Sequence, residues 1–154
     1  MECHEKDFKD KKRDYYSPML NLCNKHHPTV TGVIEVGAGT GYFSNMYIRK
    51  FKPKRYTFYE NSGAMVAKIR QRMKVQKFTK TRIYNESFRN ISTKELKKCD
   101  CILALEILEH ISWDKKFLLL IIPSTWIFFS VPRIHAFNHV RAFLTPDSIA
   151  YRYC

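Results

Sequence analysis

The sequence predicts an α/β fold in which a mostly parallel sheet of about five strands lies between two layers of helices. From Thr31 onward, short apolar runs rich in β-branched and aromatic residues alternate with segments of helical periodicity. The first of these runs leads into glycines at alternate positions, Gly37, Gly39 and Gly41, and then into a helical segment. Such alternation indicates right-handed crossovers and a parallel sheet covered on both faces.

Each element of this Rossmann-like three-layer sandwich has its own signal. Residues 1–14 are charged and are expected to form a solvated arm, and Tyr15–Lys25 has apolar residues at helical spacing, ended by Pro28. We therefore divide the chain into an N-terminal arm and helix, residues 1–28, and one domain, residues 29–154. The predicted strands are Gly32–Val36, Tyr56–Tyr59, Arg82–Asn85, Cys101–Leu105 and Trp126–Val131. The predicted helices of the domain are Tyr42–Phe51, Gly63–Met73, Thr93–Lys98 and Trp113–Ile122.

Composition limits the class of protein. A content of 45% hydrophobic residues excludes a disordered chain, and 154 residues suffice for one core. The five cysteines form no C-x-x-C pair, which favours reduced thiols and a cytoplasmic location. We find no signal peptide, and the apolar stretch Phe117–Val131 is too short for a membrane span.

The net charge of +13 is concentrated in one window. Between Arg49 and Arg82 there are twelve lysines and arginines and one acid, Glu60. Most of these cations fall in loops that enter predicted strands two and three, on the edge of the sheet opposite the expected ligand site. This basic edge predicts binding to a nucleic acid, a membrane surface or an acidic partner protein. The alternative is that it is only a solvated surface that binds nothing.

The glycine-rich turn is typical of a nucleotide cradle, and its spacing separates two cofactor classes. A dinucleotide fingerprint starting at Gly37 needs a third glycine at position 42, which is Tyr42. The pattern E-x-G-x-G-x-G from Glu35 to Gly41 instead resembles motif I of the class I S-adenosylmethionine-dependent methyltransferases. That resemblance implies that Glu35 contacts the amino-acid end of the cofactor, while Gly37, Ala38, Gly39 and Gly41 make room for its adenosyl part.

The ends of the next strands supply further cofactor candidates. Glu60 lies nineteen residues beyond Gly41, a distance at which an acid pairs with ribose hydroxyls, and Asn61 follows it. The alternative for Glu60 is a solvated acid at a strand end. In the family that the chain resembles, the end of strand three approaches the adenine, which implies this role for Glu86, Ser87 and Phe88, with Leu105 at the end of strand four.

The segment after strand four carries the candidate chemistry. Asp100 to Ile111 resembles the family's D-x-x-x-x-x-E-x-L-E-H block, found in small-metabolite and ubiquinone-biosynthesis methyltransferases, and residues 138–147 resemble the segment after strand five. The resemblance implies that Glu106, Glu109, His110 and His139 face the acceptor, with an imidazole as general base near neutral pH. The alternative is that Glu109 and His110 only stabilise the loop after strand four. Tyr15 or Tyr16 is expected to help close the pocket.

The same four residues allow a metal alternative. Two carboxylates and two imidazoles suit Mg²⁺ or Mn²⁺, and the set Glu106, Glu109, His110 and His139 resembles that of small-RNA 3′-end ribose methyltransferases. The downstream blocks of that family are not found, so no metal is expected in the main interpretation.

The predicted function is therefore methyl transfer from S-adenosylmethionine to an unidentified acceptor, at an oxygen. The family fold continues past strand five with a helix and two more strands, whereas here only Pro146–Tyr151 can begin that helix. We expect a sheet lacking the last two strands, with an open edge that a partner chain could cover. Two alternatives remain: metal-assisted ribose 2′-O-methylation of RNA, and a non-catalytic module that binds nucleic acid or protein through its basic edge.

Overall fold

Five parallel strands form one sheet in the computed structural model, which describes residues 16–26, 29–74, 79–121 and 125–131. The strands are β1 (Gly32–Val36), β2 (Arg55–Tyr59), β3 (Lys80–Tyr84), β4 (Cys101–Leu105) and β5 (Trp126–Ser130). Their order is β3-β2-β1-β4-β5, and every neighbouring pair is parallel. The winding reverses after β3, so β1 and β4 flank the switch point where ligands bind in such sheets. The predicted α/β sheet is confirmed.

Helices cover both faces of this sheet. One face carries α1, residues 16–26, together with α2 (Tyr42–Phe51) and α3 (Gly63–Met73). The other face carries α4 (Thr93–Leu96), α5 (Asp114–Leu119) and the 3₁₀ turns Phe88–Asn90 and Leu108–His110. Ser62 begins α3 by accepting a hydrogen bond from the backbone N–H of Met65. Such a cap satisfies one of the N–H groups that the first turn of a helix leaves unpaired.

Two apolar cores separate the three layers. Alternate residues of a strand point to opposite faces, so Tyr56 and Phe58 of β2 pack toward α1, α2 and α3, while Tyr59 packs toward α4 and α5. The first core includes Leu20 and Cys23, which attaches α1 to the sheet. Burial of these side chains is the main stabilising term, at about 25 cal/mol per Å² of apolar surface.

The predicted bounds need correction where a strand or helix end is polar. β3 begins at Lys80 rather than Arg82, because an edge strand can continue its backbone ladder through solvated charged residues. Helix α5 is shorter than the predicted Trp113–Ile122, and the two 3₁₀ turns were not predicted, since three residues have no periodicity. Residues 1–15 and 132–154, including the predicted arm and the segment around His139, lie outside the described residues.

Two expectations from composition can be compared with the structure. Cys23, Cys99 and Cys101 are buried free thiols. Among the helices of the described ranges, none is long and apolar enough to cross a bilayer.

Candidate functional site

The glycine-rich turn after β1 adopts a backbone that side chains disfavour. Gly37, Gly39 and Gly41 have φ angles of +66°, +56° and +70°. A Cβ at Gly37 would lie 2.7 Å from Ile107 Cδ1, and one at Gly41 would lie 3.2 Å from Ile69 Cγ1. A Cβ at Gly39 would meet nothing within 4 Å. Packing therefore explains the outer two glycines, whereas Gly39 borders open space that a ligand can fill.

That space belongs to a cleft of about 270 Å³ at the carboxyl ends of β1 and β4. This is the edge at which an open parallel sheet binds its ligand. The lining contains six predicted site residues: Glu35, Gly37, Ala38, Gly39, Leu105 and Glu106. It also contains Tyr16 of α1, while the closing of the pocket by Tyr15 or Tyr16 stays a prediction. Burial raises the pKa of Tyr16 to about 12, so its hydroxyl remains protonated at neutral pH.

Glu60, at the end of β2, is hydrogen-bonded to the turn. Its Oε2 accepts from the backbone N–H of Gly39 at 3.0 Å, and its Oε1 accepts from that of Ser62 at 2.9 Å. A carboxylate has about four acceptor positions, so both oxygens can still accept a bond from a ligand hydroxyl. Asn85 adds a brace from the end of β3, donating through Nδ2 to the carbonyls of Glu60 and Asn61 at 3.0 and 2.9 Å. The predicted ribose acid therefore lies directly beside the open glycine.

Glu35 is a buried carboxyl at the base of the cleft, with 2% of its surface exposed. Its Oε2 accepts hydrogen bonds from Ser44 Oγ and from Tyr56 OH, the latter at 2.7 Å. Burial raises the pKa of Glu35 to about 7, although the two hydroxyls act in the opposite direction by stabilising the ionised form. Near neutral pH this group therefore changes charge readily, and a bound cation would favour its ionised form.

Arg72 of α3 contacts the glycine-rich turn through its guanidinium group. Its Nε donates to the carbonyl of Thr40 at 3.1 Å, and its guanidinium lies 5.4 Å from the centre of the Tyr42 ring. Together with the bond from Gly39 to Glu60, this contact fixes both a donor and an acceptor of the turn.

The predicted adenine-side residues follow β3. Glu86 accepts from Asn90 Nδ2 at 2.9 Å, and Ser87 begins the 3₁₀ turn by accepting from the N–H of Arg89. Phe88 is 7% exposed, and its ring lies 4.9 Å from that of Trp113 and 5.0 Å from that of Phe117. Phe88 therefore packs in the second core, and its predicted contact with adenine stays a prediction.

The predicted acceptor-side residues do not all reach the described cleft. Glu106 lines it, and Ser130 Oγ donates to Glu106 Oε1 at 2.9 Å. Glu109 is 1% exposed, and its carboxyl forms no hydrogen bond among the described residues. The Nε2 atom of His110 lies 3.7 Å from Glu109 Oε1. Burial raises the pKa of Glu109 to about 6. His139 lies outside the described residues.

The metal alternative can be compared with this geometry. Within the described ranges, no three histidine, cysteine, aspartate or glutamate side chains are grouped so that they could hold an ion. Glu106, Glu109 and His110 are therefore not brought together as a ligand set by the described part of the chain.

Comparison with known proteins identifies the family. A family model described as a methyltransferase domain matches residues 34–122, more than half of the 154 residues. The chain belongs to this family. The predicted resemblance to class I methyltransferases is thereby confirmed. No curated protein matches the sequence.

Solved structures share the fold of this methyltransferase domain at low identity. The N-methyltransferase NodS from Bradyrhizobium japonicum WM9 has a TM-score of 0.61 at 19% identity, covering 77% of this chain and 66% of NodS. A coclaurine N-methyltransferase, bound to N-methylheliamine and S-adenosyl-L-homocysteine (SAH), has a TM-score of 0.59 at 20% identity, covering 74% of this chain and 35% of that protein. The chain thus spans less than two thirds of the length of either protein.

Several residues around the site of the methyltransferase domain were missed from the sequence. Thr40, Phe43 and Met65 line the cleft, and Ser44 and Tyr56 hold Glu35. Thr40 lies between two of the predicted glycines, and Phe43 and Met65 lie in the first turns of the predicted helices α2 and α3. Partners of Glu35 that are nine and twenty-one residues away leave no local signal.

Proposed function

We propose that this methyltransferase domain binds S-adenosylmethionine (SAM) in the cleft beside Gly39 and transfers its methyl group to an oxygen of an acceptor. Membership of the family supports the cofactor, and a structure of NodS with the same fold is a complex with SAH. The observation that carries the proposal is the hydrogen bond from the N–H of Gly39 to Glu60, because it holds a carboxylate beside the open space at Gly39.

The proposal assigns residues in the cleft and beside it to the parts of SAM. In this proposal Glu60 accepts hydrogen bonds from the ribose hydroxyls, and Gly39 lets the adenosyl part approach the backbone. Glu35 faces the ammonium end, where a cation would favour its ionised form despite burial. Glu86, Ser87 and Phe88, with Asn61, complete the adenine side.

Bound SAM supplies a methyl group that is already activated by its sulfonium, so the protein mainly aligns the acceptor and accepts its proton. Glu106 is our first candidate for the proton acceptor, because it lines the described cleft and Ser130 holds one of its oxygens. Glu109, His110 and His139 remain candidates for orienting the acceptor or passing the proton onward.

A nitrogen acceptor is the second candidate. It is favoured by the two N-methyltransferases that share the fold. A screen with methyl-labelled SAM over extracts of RNA, protein and small molecules would separate the two, because O-methyl and N-methyl products differ in their fragmentation by mass spectrometry.

Calorimetric titration with SAM and with SAH tests the cofactor site. We expect both to bind, and Glu60→Gln to weaken both by tenfold or more, since two charge-assisted hydrogen bonds to ribose become weaker bonds to an amide. Failure of both ligands to bind at millimolar concentration would refute the proposal.

Asp100→Asn is the matched control for Glu60→Gln. Like Glu60, Asp100 accepts hydrogen bonds from two backbone N–H groups, those of Thr31 and Gly32 at 2.9 and 3.0 Å, but it lies at the opposite edge of the sheet. We expect Asp100→Asn to lower stability and leave SAM affinity unchanged. Equal losses of affinity in both variants would show that Glu60 acts only through the fold.

A further inference from the structure

A second cleft lies at the amino ends of the strands, on the edge opposite the candidate cofactor site. Its lining includes the exposed cations Arg55, Lys80, Arg82 and Lys98, with one carboxylate, Glu95. We call this cleft the amino-edge groove. Its volume of about 70 Å³ admits a small anionic group but no large ligand.

Strand register concentrates the cations of the groove. Arg55 lies directly opposite Lys80, and Thr57 lies opposite Arg82, across strands that are about 4.8 Å apart. The positions two apart along a strand face the same side of the sheet, so these side chains share the face that carries α4. Arg55 Nη2 also donates to the carbonyl of Lys98 at 2.6 Å, which fixes one guanidinium in place.

The nearby carboxylates are hydrogen-bonded to groups other than these four cations. Glu95 accepts hydrogen bonds from the hydroxyls of Tyr59 and Tyr84, and Asp100 accepts from two backbone N–H groups at the start of β1. No salt bridge within the described part of the chain neutralises the four cations of the groove. Exposed lysines extend the positive surface on either side: Lys52, Lys54 and Lys97.

We propose that the amino-edge groove binds the phosphate backbone of a nucleic acid. Four lysines and arginines against one carboxylate, with three of the cations on the neighbouring strands β2 and β3, suit a ligand that repeats a negative charge along its length. An interface with a protein would be expected to bury aromatic or methionine side chains at its centre and to be poor in lysine. Anionic lipid headgroups attract clusters of cations in the same way, so anionic vesicles are one arm of the test below.

This site is distinct from the cofactor cleft and does not depend on the proposed methyl transfer. The strands are five residues long, so the two edges of the sheet lie about 16 Å apart. The groove offers phosphate contacts and no aromatic side chain for base stacking among its described lining residues, so binding is independent of sequence.

Fluorescence anisotropy with labelled oligouridylate and oligodeoxythymidylate, measured over a series of salt concentrations, tests the proposal. The test variant is Arg55→Gln, Lys80→Gln, Arg82→Gln. Each single-strand phosphate contact contributes about 0.7 to the slope of log affinity against log salt, so three lost contacts lower the slope by about 2. At about 0.1 M salt this corresponds to a loss of affinity on the order of 100-fold.

The matched control removes the same charge elsewhere, through Lys68→Gln, Arg70→Gln, Lys115→Gln on the exposed surfaces of α3 and α5. We expect the control to retain most of the affinity and salt slope. Equal losses in both triple variants would refute the groove as the site, because net charge alone would explain binding. The proposal would also be refuted if the wild-type protein bound neither oligonucleotide at low salt. The same holds if the groove instead bound an acidic peptide or anionic vesicles.

Discussion

Replacing Gly39 with alanine should impair ligand binding much more than folding. Its φ of +56° disfavours any side chain by about 1–2 kcal/mol, and nothing lies within 4 Å of the added Cβ. That strain is therefore the whole expected loss in the free energy of unfolding, measured by urea denaturation. The new methyl group would occupy the space assigned to the adenosyl part of SAM. We expect calorimetry to show at least a tenfold weaker SAM affinity, or about 1.4 kcal/mol.

Gly37→Ala is the control for Gly39→Ala, because it introduces the same kind of strain with a different neighbour. Its Cβ would lie 2.7 Å from Ile107 Cδ1 and 2.9 Å from Cγ1, which adds about 1–3 kcal/mol of overpacking to about 1–2 kcal/mol of backbone strain. We expect Gly37→Ala to be less stable than Gly39→Ala. For each kcal/mol of unfolding free energy lost, Gly37→Ala should lose less SAM affinity than Gly39→Ala. If Gly39→Ala binds SAM as tightly as the wild type, the open space beside it is not the cofactor site.

Three further predictions concern buried titratable groups. Burial raises the pKa of Glu35 to about 7, so the native state keeps a proton that the unfolded state releases near pH 4.5. The free energy of unfolding should therefore fall by about 3 kcal/mol as the pH rises from 4.5 to 7. Urea denaturation of Glu35→Gln over the same pH range should not show this fall. The pKa of Glu109 is raised to about 6 in the same way, so Glu109→Gln should gain about 2 kcal/mol relative to the wild type above pH 6 and match it near pH 4, and equal gains at both pH values would contradict the assignment. Burial also raises the pKa of Cys23 and Cys99 to about 12, and Cys101 is fully buried, so at least three thiols should react with a thiol reagent at pH 8 only after denaturant is added.

Elements bounded by clear local signals were predicted correctly to the residue. The strands Gly32–Val36 and Cys101–Leu105 and the helices Tyr42–Phe51 and Gly63–Met73 all match the structure. Each combines an apolar pattern with glycine or polar residues at its ends. β3 was placed two residues late, because Lys80 and Thr81 join the sheet through backbone pairing with β2, and that pairing leaves no hydrophobic signal.

The residues of the candidate site also differ in whether a local sequence pattern or only tertiary packing identifies them. The glycines and Glu60 could be predicted because the turn and the acid belong to one strand–helix–strand unit. The partners that fix them could not, since Ser44 and Tyr56 approach Glu35, and Arg72 approaches Thr40, only after the helices pack on the sheet. Burial of Glu109, and its lack of a described hydrogen bond, is likewise a property of tertiary packing.

The bond from Arg72 to Thr40 connects the glycine-rich turn to the last turn of α3. This hydrogen bond restrains the turn, so less of the protein's chain entropy remains to be lost when a ligand binds there. The same link works in reverse, because a ligand that stabilises the turn also opposes local unfolding of the helix that braces it. Slower hydrogen exchange of the α3 amides would then report occupancy of the cleft from a helix that contributes only Met65 to its described lining.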